Sequence, residues 1–125
     1  MSLSILSPAI PQLPSGNLQV TAEFYRERLG FTEFDLFVEH GHLIAWRGIV
    51  EIHFWNAGSE DEARKYGSAS SCYIRVQNIR PLYEELKDRG TTFAYELKLQ
   101  PWGMNEMQVN DPYGNAIRFG EFIGT

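Results

Sequence analysis

Residues 100–119 have the sequence QPWGMNEMQVNDPYGNAIRF, which contains a loop with one large aromatic side chain, a strand, a tight turn and a second strand. The turn is residues 111–115: Pro112 fixes φ at the second turn position, and the glycine or asparagine that follows can adopt a positive φ. The flanking strands are therefore predicted to pair as an antiparallel hairpin. Trp102, in the loop before the first strand, is predicted to lie at the mouth of this hairpin.

Two amphipathic helices and several further strands are predicted before this hairpin. Apolar residues recur at helical spacing within residues 18–29 and 79–89, and Gly30 and Gly90 follow at the positions where helices end. Short segments rich in apolar and aromatic residues, bounded by Gly, Pro and polar turns, indicate strands. The predicted strands are residues 8–13, 31–39, 43–46, 49–55, 71–76, 93–99, 104–110 and 116–119.

The order of these elements repeats once along the chain. Each unit is a strand, a helix and three strands. Asn17, which with Ser15 is a candidate N-cap of the first helix, lies as many residues before Gln77 as Gly30 lies before Gly90. The polar residues between the units predict a linker that holds one short helical turn. The sequence therefore predicts a single α+β domain over residues 1–125, with module one at about 8–56, the linker at about 57–70 and module two at about 71–123.

The composition argues against several classes of function. The 125 residues carry a net charge of −5, and no basic stripe of the kind that binds nucleic acid is present. No apolar run is long enough to span a membrane, and no secretory signal is expected at the start. Cys72 is the only cysteine, so no intrachain disulfide can form, and a cytoplasmic location is expected.

The strand at residues 49–55 separates apolar from polar side chains. Alternate residues of a strand point to opposite faces, so one face carries Val50, Ile52 and Phe54. The other face carries Glu51, His53 and Trp55. The first face is suited to packing under a helix, whereas an acid, an imidazole and an indole together favour a wet pocket.

The chain resembles the glyoxalase / bleomycin-resistance / extradiol-dioxygenase superfamily, also called the vicinal oxygen chelate proteins. Residues 24–31 (FYRERLGF) resemble the first-helix signature of that superfamily, and residues 111–115 (DPYGN) resemble its second-module turn. The resemblance extends from about residue 8 to residue 122. It implies two tandem βαβββ modules that form a cupped mixed sheet with the helices outside, completed across a homodimer.

Enzymes of that superfamily hold a divalent metal with four side chains, and the resemblance places these positions on Ile10, Glu51, Ser71 and Arg118. Only Glu51 is a suitable ligand, because Ile10 has no lone pair, Ser71 is a weak donor and Arg118 carries a positive charge. We therefore expect no metal and no cofactor, and a salt bridge between Glu51 and Arg118 in the former metal site.

The metal-free, bleomycin-resistance branch of the superfamily is the better match. Residues 100–103 (QPWG) resemble the Trp-Gly loop that lines the drug groove in that branch. This resemblance implies non-catalytic sequestration of a bleomycin-type antibiotic, an aromatic and cationic glycopeptide, at a dimer interface. The alternatives are a metal-dependent enzyme of the superfamily, of the lyase or dioxygenase type, and a protein that binds another small metabolite.

The candidate ligand-binding residues are aromatic, charged or part of the Trp-Gly loop, and no nucleophile–base pair is recognisable among them. Trp46 and Trp55 could equally be packing residues, and Glu51 with His53 could belong to an atypical metal site, although His40 and His42 are predicted to lie in a turn. Tyr73 and Arg75 are predicted to face inward together with Ser71. The candidates are Phe37, Trp46, Glu51, His53, Trp55, Tyr73, Trp102, Gly103, Met104 and Arg118.

The first predicted strand carries two prolines. Pro8 and Pro11 lack amide donors, so this strand cannot pair fully on both sides. We expect it to be exchanged with the partner in a homodimer, as the resemblance also implies.

Overall fold

The structure is a computed structural model that describes residues 3–124. Residues 1, 2 and 125, which the predicted domain includes, lie outside the described residues. Within the described residues the fold is α+β, as predicted: two four-stranded mixed sheets in tandem βαβββ modules, with one α-helix in each module and a third in the linker. The elements are β1 (Gln12–Ser15), α1 (Leu18–Leu29), β2 (Glu33–Phe37), a 3₁₀ helix (Val38–His40), β3 (His42–Arg47), β4 (Val50–Asn56), α2 (Glu60–Gly67), β5 (Ser71–Arg75), α3 (Ile79–Asp88), β6 (Tyr95–Leu99), β7 (Met104–Asn110) and β8 (Ala116–Phe122).

The two sheets have the same topology. Sheet 1 has the strand order β1-β4-β3-β2 and sheet 2 has the order β5-β8-β7-β6. In each sheet the first strand of the module pairs in parallel with the last, and the remaining neighbours are antiparallel. The sheets therefore confirm the internal repeat that the sequence predicts.

The predicted first strand begins later than residue 8. β1 pairs with β4 only over Gln12–Ser15, and residues 3–11 lie outside both sheets. Pro8 and Pro11 cannot donate to a ladder, so regular pairing starts only after the second proline. Ile10, which the superfamily pattern places on the first strand, consequently lies outside the sheet.

The region around residues 37–42 also differs from the prediction. β2 ends at Phe37, and a 3₁₀ helix covers Val38–His40 before Gly41 adopts φ 62°. His42, predicted to lie in the turn, is instead the first residue of β3 and pairs with Trp55 of β4. This places a histidine on the same face of the sheet as Trp55.

The two module helices begin with different caps. Asn17 Oδ1 accepts hydrogen bonds from the amides of Gln19 and Val20 at 3.0 and 3.1 Å, as expected of an N-cap. The second module helix begins at Ile79, as predicted, and the side chain of the preceding Asn78 does not cap it.

A carboxylate from β8 caps this second helix. Glu121 accepts hydrogen bonds from the amides of Asn78 and Ile79 at 2.7 and 3.0 Å, which lowers the pKa of Glu121. The cap therefore comes from a residue 42 positions away from Ile79, and no local pattern could have predicted it.

The linker holds more than the single helical turn expected. α2 spans eight residues, is capped by the Ser59 hydroxyl at 3.1 Å from the Glu62 amide, and has acidic residues in its first turn. It buries little apolar surface, so it lacks the periodicity that identified the other helices. Gly67 at its end lies so close to the Tyr113 carbonyl that a Cβ atom would overlap that oxygen.

The predicted hairpin is formed by β7 and β8. Asp111 Oδ1 accepts hydrogen bonds from the amides of Tyr113 and Asn115 at 2.9 and 3.1 Å, and Gly114 has φ 87°. Asn115 Nδ2 also donates to the Pro14 carbonyl in β1 at 2.9 Å, so the turn connects the second module to the first.

One hydrophobic core serves both modules. It contains Tyr25 and Phe54 from the first module and Met107 and Phe119 from the second. The apolar face predicted for residues 49–55 packs into this core, because Ile52 and Phe54 are fully buried. The opposite faces of both sheets carry the polar and aromatic residues of the candidate site.

Candidate functional site

A pocket of about 620 Å³ lies on the polar face of sheet 2. It contains three residues that the sequence predicted, Tyr73, Trp102 and Arg118, and four that it did not. The four additional lining residues are Tyr95, Lys98, Gln100 and Glu106. Glu106 and Gln108 point to the same face of β7, so the alternation of that strand could have identified Glu106 as a pocket residue.

The floor of the pocket is a buried carboxylate held by two tyrosines. Glu106 is only 4% exposed, and its two oxygens accept hydrogen bonds from the Tyr73 and Tyr95 hydroxyls, each at 2.6 Å. Burial, followed by the hydrogen bond to Glu106, raises the pKa of both tyrosines to about 12. Both hydroxyls are therefore proton donors at neutral pH, and the floor is held by short charge-assisted bonds.

Arg118 extends across sheet 2 and does not pair with Glu51, contrary to the prediction. Its Nε donates to Gln108 Oε1 at 2.9 Å, and residues 108 and 118 are register partners on β7 and β8. Glu51 lies on sheet 1, where it accepts a hydrogen bond from His53. Lys98 provides a second positive charge in the pocket of sheet 2.

Trp102 stands at the rim of this pocket in the turn between β6 and β7. Its side chain is 61% exposed. Gly103, with φ 82°, packs so closely on Gly124 that a side chain would not fit, and Met104 is buried as the first residue of β7. Among the residues predicted from the Trp-Gly loop, Trp102 alone lines the pocket.

The remaining candidates lie together on the polar face of sheet 1. Trp46 is the register partner of Glu51, and Phe37 pairs with His42, which pairs in turn with Trp55. Phe37 and Trp55 are exposed. Five predicted residues therefore form a second aromatic and acidic surface, and the pocket around Trp102 contains none of them: Phe37, Trp46, Glu51, His53 and Trp55.

A chain of hydrogen bonds crosses this surface. His53 Nε2 lies 2.6 Å from Glu51 Oε2, and His53 Nδ1 lies 3.1 Å from His42 Nε2. The hydrogen bond from His53 lowers the pKa of Glu51. His42 takes part in this chain of hydrogen bonds because it lies on β3. The sequence pattern instead predicts His42 in the turn before that strand.

The positions of the superfamily's metal ligands do not fit a metal here. Ile10 lies outside the sheet and offers no donor atom, and Arg118 brings a guanidinium. Within residues 3–124, no group of three or more His, Cys, Asp or Glu side chains is arranged to hold a metal ion. A metal-dependent reaction at those positions would lack the donors that such an ion requires.

Comparisons with known proteins agree with this architecture. The sequence profile of the Glyoxalase/Bleomycin resistance protein/Dioxygenase superfamily matches residues 8–119. The bleomycin resistance proteins of Geobacillus stearothermophilus and Staphylococcus aureus are 33% identical to this chain, over 92% of its length and 96% of theirs.

Two solved structures are also similar. The bleomycin resistance determinant encoded on the transposon Tn5 is 29% identical, with a TM-score of 0.77 over 95% of this chain and 100% of that one. A bleomycin-binding protein complexed with bleomycin is 30% identical, with a TM-score of 0.73 over 93% of this chain and 98% of that one. Within residues 3–124, the helices are too short and too polar to cross a bilayer.

Proposed function

The chain belongs to the glyoxalase/bleomycin resistance protein/dioxygenase superfamily, and from that premise we propose that it binds and sequesters a bleomycin-type antibiotic. The observation that carries this proposal is the pocket of sheet 2, where an exposed Trp102 stands over a floor of hydroxyls and charged groups. A complex with bleomycin has been solved for a relative that is 30% identical.

The pocket suits a flat aromatic ligand with several polar groups. Trp102 offers an exposed ring face for stacking, and Tyr73 is also exposed beside it. Arg118 and Lys98 can donate hydrogen bonds to carbonyl and sugar oxygens of a ligand. The acidic surface of sheet 1, with Glu33, Asp35 and Glu51 on one face, is suited to a cationic tail.

Binding without turnover is the proposed mode of action. Of the four positions that hold the metal in enzymes of the superfamily, only Glu51 is a suitable ligand. If the protein were instead a metal-dependent lyase or dioxygenase, it would convert its substrate into a product of different mass. Bleomycin recovered after long incubation with the protein should be unaltered by mass spectrometry, and a product that accumulates with time would contradict the proposal.

A homodimer that completes the groove is part of the proposal. The segment before β1 leaves Leu3, Ile5 and Leu6 almost fully exposed, which costs hydrophobic free energy in a monomer. Exchange of this segment with a second copy would bury it and bring the acidic surface of sheet 1 towards the pocket of the partner.

The cytoplasm is the proposed location, because Cys72 is the only cysteine.

Substitution of Trp102 tests the binding site. Trp102→Ala should weaken bleomycin binding, measured by isothermal titration calorimetry, by about 1–3 kcal/mol if the ring stacks on the drug. Leu99→Ala is the matched control, because Leu99 is exposed on the same hairpin but does not line the pocket of sheet 2. Equal affinities for the wild type and Trp102→Ala would remove Trp102 from the site.

The proposed dimer has its own test. Replacement of Leu3, Ile5 and Leu6 by Ser retains the chain length and leaves β1 intact. Because the exchanged apolar contacts are lost, the variant should be either insoluble or monomeric. Light scattering after size-exclusion chromatography gives the mass of the soluble protein. A soluble variant with the mass of a dimer would contradict the exchange.

A further inference from the structure

We propose that His42 and His53 form a binding site for a divalent transition-metal ion of the borderline class, such as Cu²⁺, Ni²⁺ or Zn²⁺, with Glu51 orienting His53. Its two ligands, one from β3 and one from β4, are not among the four positions that hold the metal in enzymes of the superfamily, and Glu51, which is one of those four, only orients His53. The proposal does not depend on drug binding.

The two histidines are held on a rigid scaffold. β3 and β4 are antiparallel neighbours, and His42 pairs with Trp55 while Ile44 pairs with His53. The two imidazoles are therefore diagonal neighbours on one face, a separation that long side chains can bridge. Ligands on paired strands are positioned more precisely than ligands on loops.

The separation of the two nitrogens fits two ligands of one ion. His42 Nε2 and His53 Nδ1 lie 3.1 Å apart, and the ring planes are inclined by 81°. With zinc–nitrogen bonds of 2.0–2.1 Å, this separation corresponds to a nitrogen–metal–nitrogen angle of about 98°. That angle lies between the square-planar and the tetrahedral values, so the two nitrogens can keep their separation while each ring turns to direct its lone pair at the ion instead of at the other nitrogen.

The proton arrangement favours a metal between the rings. A carboxylate can only accept, so the 2.6 Å contact with Glu51 assigns the hydrogen of a neutral His53 ring to Nε2 and leaves the Nδ1 lone pair facing His42. Binding of an ion requires the hydrogen of the His42 ring to lie on Nδ1, which leaves the Nε2 lone pair free for the ion without a net change of charge. A carboxylate that holds the far nitrogen of a ligating histidine is the usual outer partner in such sites.

The surrounding charges also favour a cation. Glu33 and Asp35 on β2 lie on the same face as His42 and His53, by their register with β3. His53 is one-fifth exposed, so the site can be reached from solvent. Within residues 3–124 no group of three or more His, Cys, Asp or Glu side chains is arranged to hold a metal ion, so the proposed site has two protein ligands and leaves further coordination positions for water or for donor atoms of a bound small molecule.

Titration with Cu²⁺ alone, in a buffer that does not chelate it, tests the site. We expect one saturable ion per chain by isothermal titration calorimetry, and nitrogen hyperfine coupling in the electron paramagnetic resonance spectrum. His42→Asn and His53→Asn should each abolish that binding, and Glu51→Gln should weaken it roughly tenfold, the lower end for loss of an outer carboxylate. Far-UV circular dichroism establishes that each variant is folded.

His40→Asn is the matched control. The chain has three histidines, and His40 is the one outside the proposed site, in the neighbouring 3₁₀ helix. This variant should bind copper like the wild type. Absence of stoichiometric binding in the wild type would overturn the proposal, and so would copper binding that survives both His42→Asn and His53→Asn.

Discussion

The ring of Tyr73 lies directly across Gly120, where a Cβ atom would overlap the tyrosine hydroxyl. The two residues are on neighbouring strands, β5 and β8, of sheet 2. Only a residue without a side chain at position 120 allows the tyrosine to lie flat across the sheet and reach Glu106. The arrangement of the pocket floor therefore depends on a glycine that does not line the pocket itself.

Gly120→Ala should displace Tyr73 and destabilise the protein. Gly120 has no positive φ, so the effect is steric, and overpacking of this kind typically costs about 1–3 kcal/mol. Urea denaturation measures the loss, and the same variant should bind the ligand more weakly because the Tyr73–Glu106 hydrogen bond is broken. The loss of unfolding free energy caused by Gly120→Ala should be smaller in a Tyr73→Ala background than in the wild type, because the ring that the methyl group displaces is absent. Additive costs would contradict the steric account.

Glu106→Gln should lower the pKa of Tyr73 and Tyr95. Both values are about 12, raised first by desolvation and then by the carboxylate, so removal of the negative charge should bring both down. NMR of tyrosine labelled at Cζ measures each value. Values that stay at 12 in the variant would assign the whole shift to burial.

The same two tyrosines make stability depend on alkaline pH. Their pKa is higher in the folded than in the unfolded chain, so their contribution is complete below pH 10 and is lost as the pH rises towards 12. The decline of the free energy of unfolding over this range should be shallower in Glu106→Gln than in the wild type.

The fold was largely predictable because its signals are local. The periodicity of residues 18–29, the Asn17 cap and the DPYGN turn each determine structure within a few residues, and all three are confirmed. The predictions were incomplete where a contact between residues far apart in sequence stabilises or caps a helix. α2 is stabilised by capping and by the close approach of Gly67 to Tyr113, and α3 is capped by Glu121 from another strand.

The site was predicted less completely, for a related reason. Trp102, Tyr73 and Arg118 lie together as pocket residues. The pair expected between Arg118 and Glu51 is absent, because Glu51 lies on sheet 1 and Arg118 bonds to Gln108, its register partner on sheet 2. The alternation of side chains along a strand identifies which of them share a face. Which of them form hydrogen bonds depends also on how the strands pair, and the sequence pattern does not give that pairing. His42 was missed because one residue at a strand boundary decides whether it lies in a turn or on the sheet.

Glu85→Gln should destabilise the contact between the modules. Arg47 Nη1 and Nη2 donate to the two Glu85 oxygens at 2.8 and 2.7 Å, and Arg47, followed by Arg89 at 2.8 Å, lowers the pKa of Glu85 to about 2. Because both side chains are about one-third exposed, solvent screening limits the expected loss to about 1 kcal/mol at neutral pH. Glu84→Gln is the matched control, since Glu84 makes only a 3.9 Å contact with Lys87.

The effect of Glu85→Gln has a defined pH dependence. The pKa of Glu85 is lower in the folded chain, so the stabilisation is present above its ordinary value of 4.5 and is lost as the pH falls towards 2. The difference in free energy of unfolding between Glu85→Gln and the wild type should therefore shrink over this range. A difference that is constant from neutral pH to pH 2 would show that packing, rather than charge, is responsible.

Tyr25→Phe tests the buried connection between α1 and the β7–β8 turn. The fully buried Tyr25 hydroxyl donates to Asp111 Oδ2 at 2.8 Å, and Asp111 is itself buried, which raises its pKa. Loss of a donor to a buried carboxylate costs about 1–3 kcal/mol, and the lower half of that range is expected because Asn115 Nδ2 still donates to the same oxygen. Tyr66→Phe, at an exposed tyrosine on α2, should change the free energy of unfolding by less than about 0.5 kcal/mol. If urea denaturation gave the same result for both variants, the turn would owe its position to packing alone.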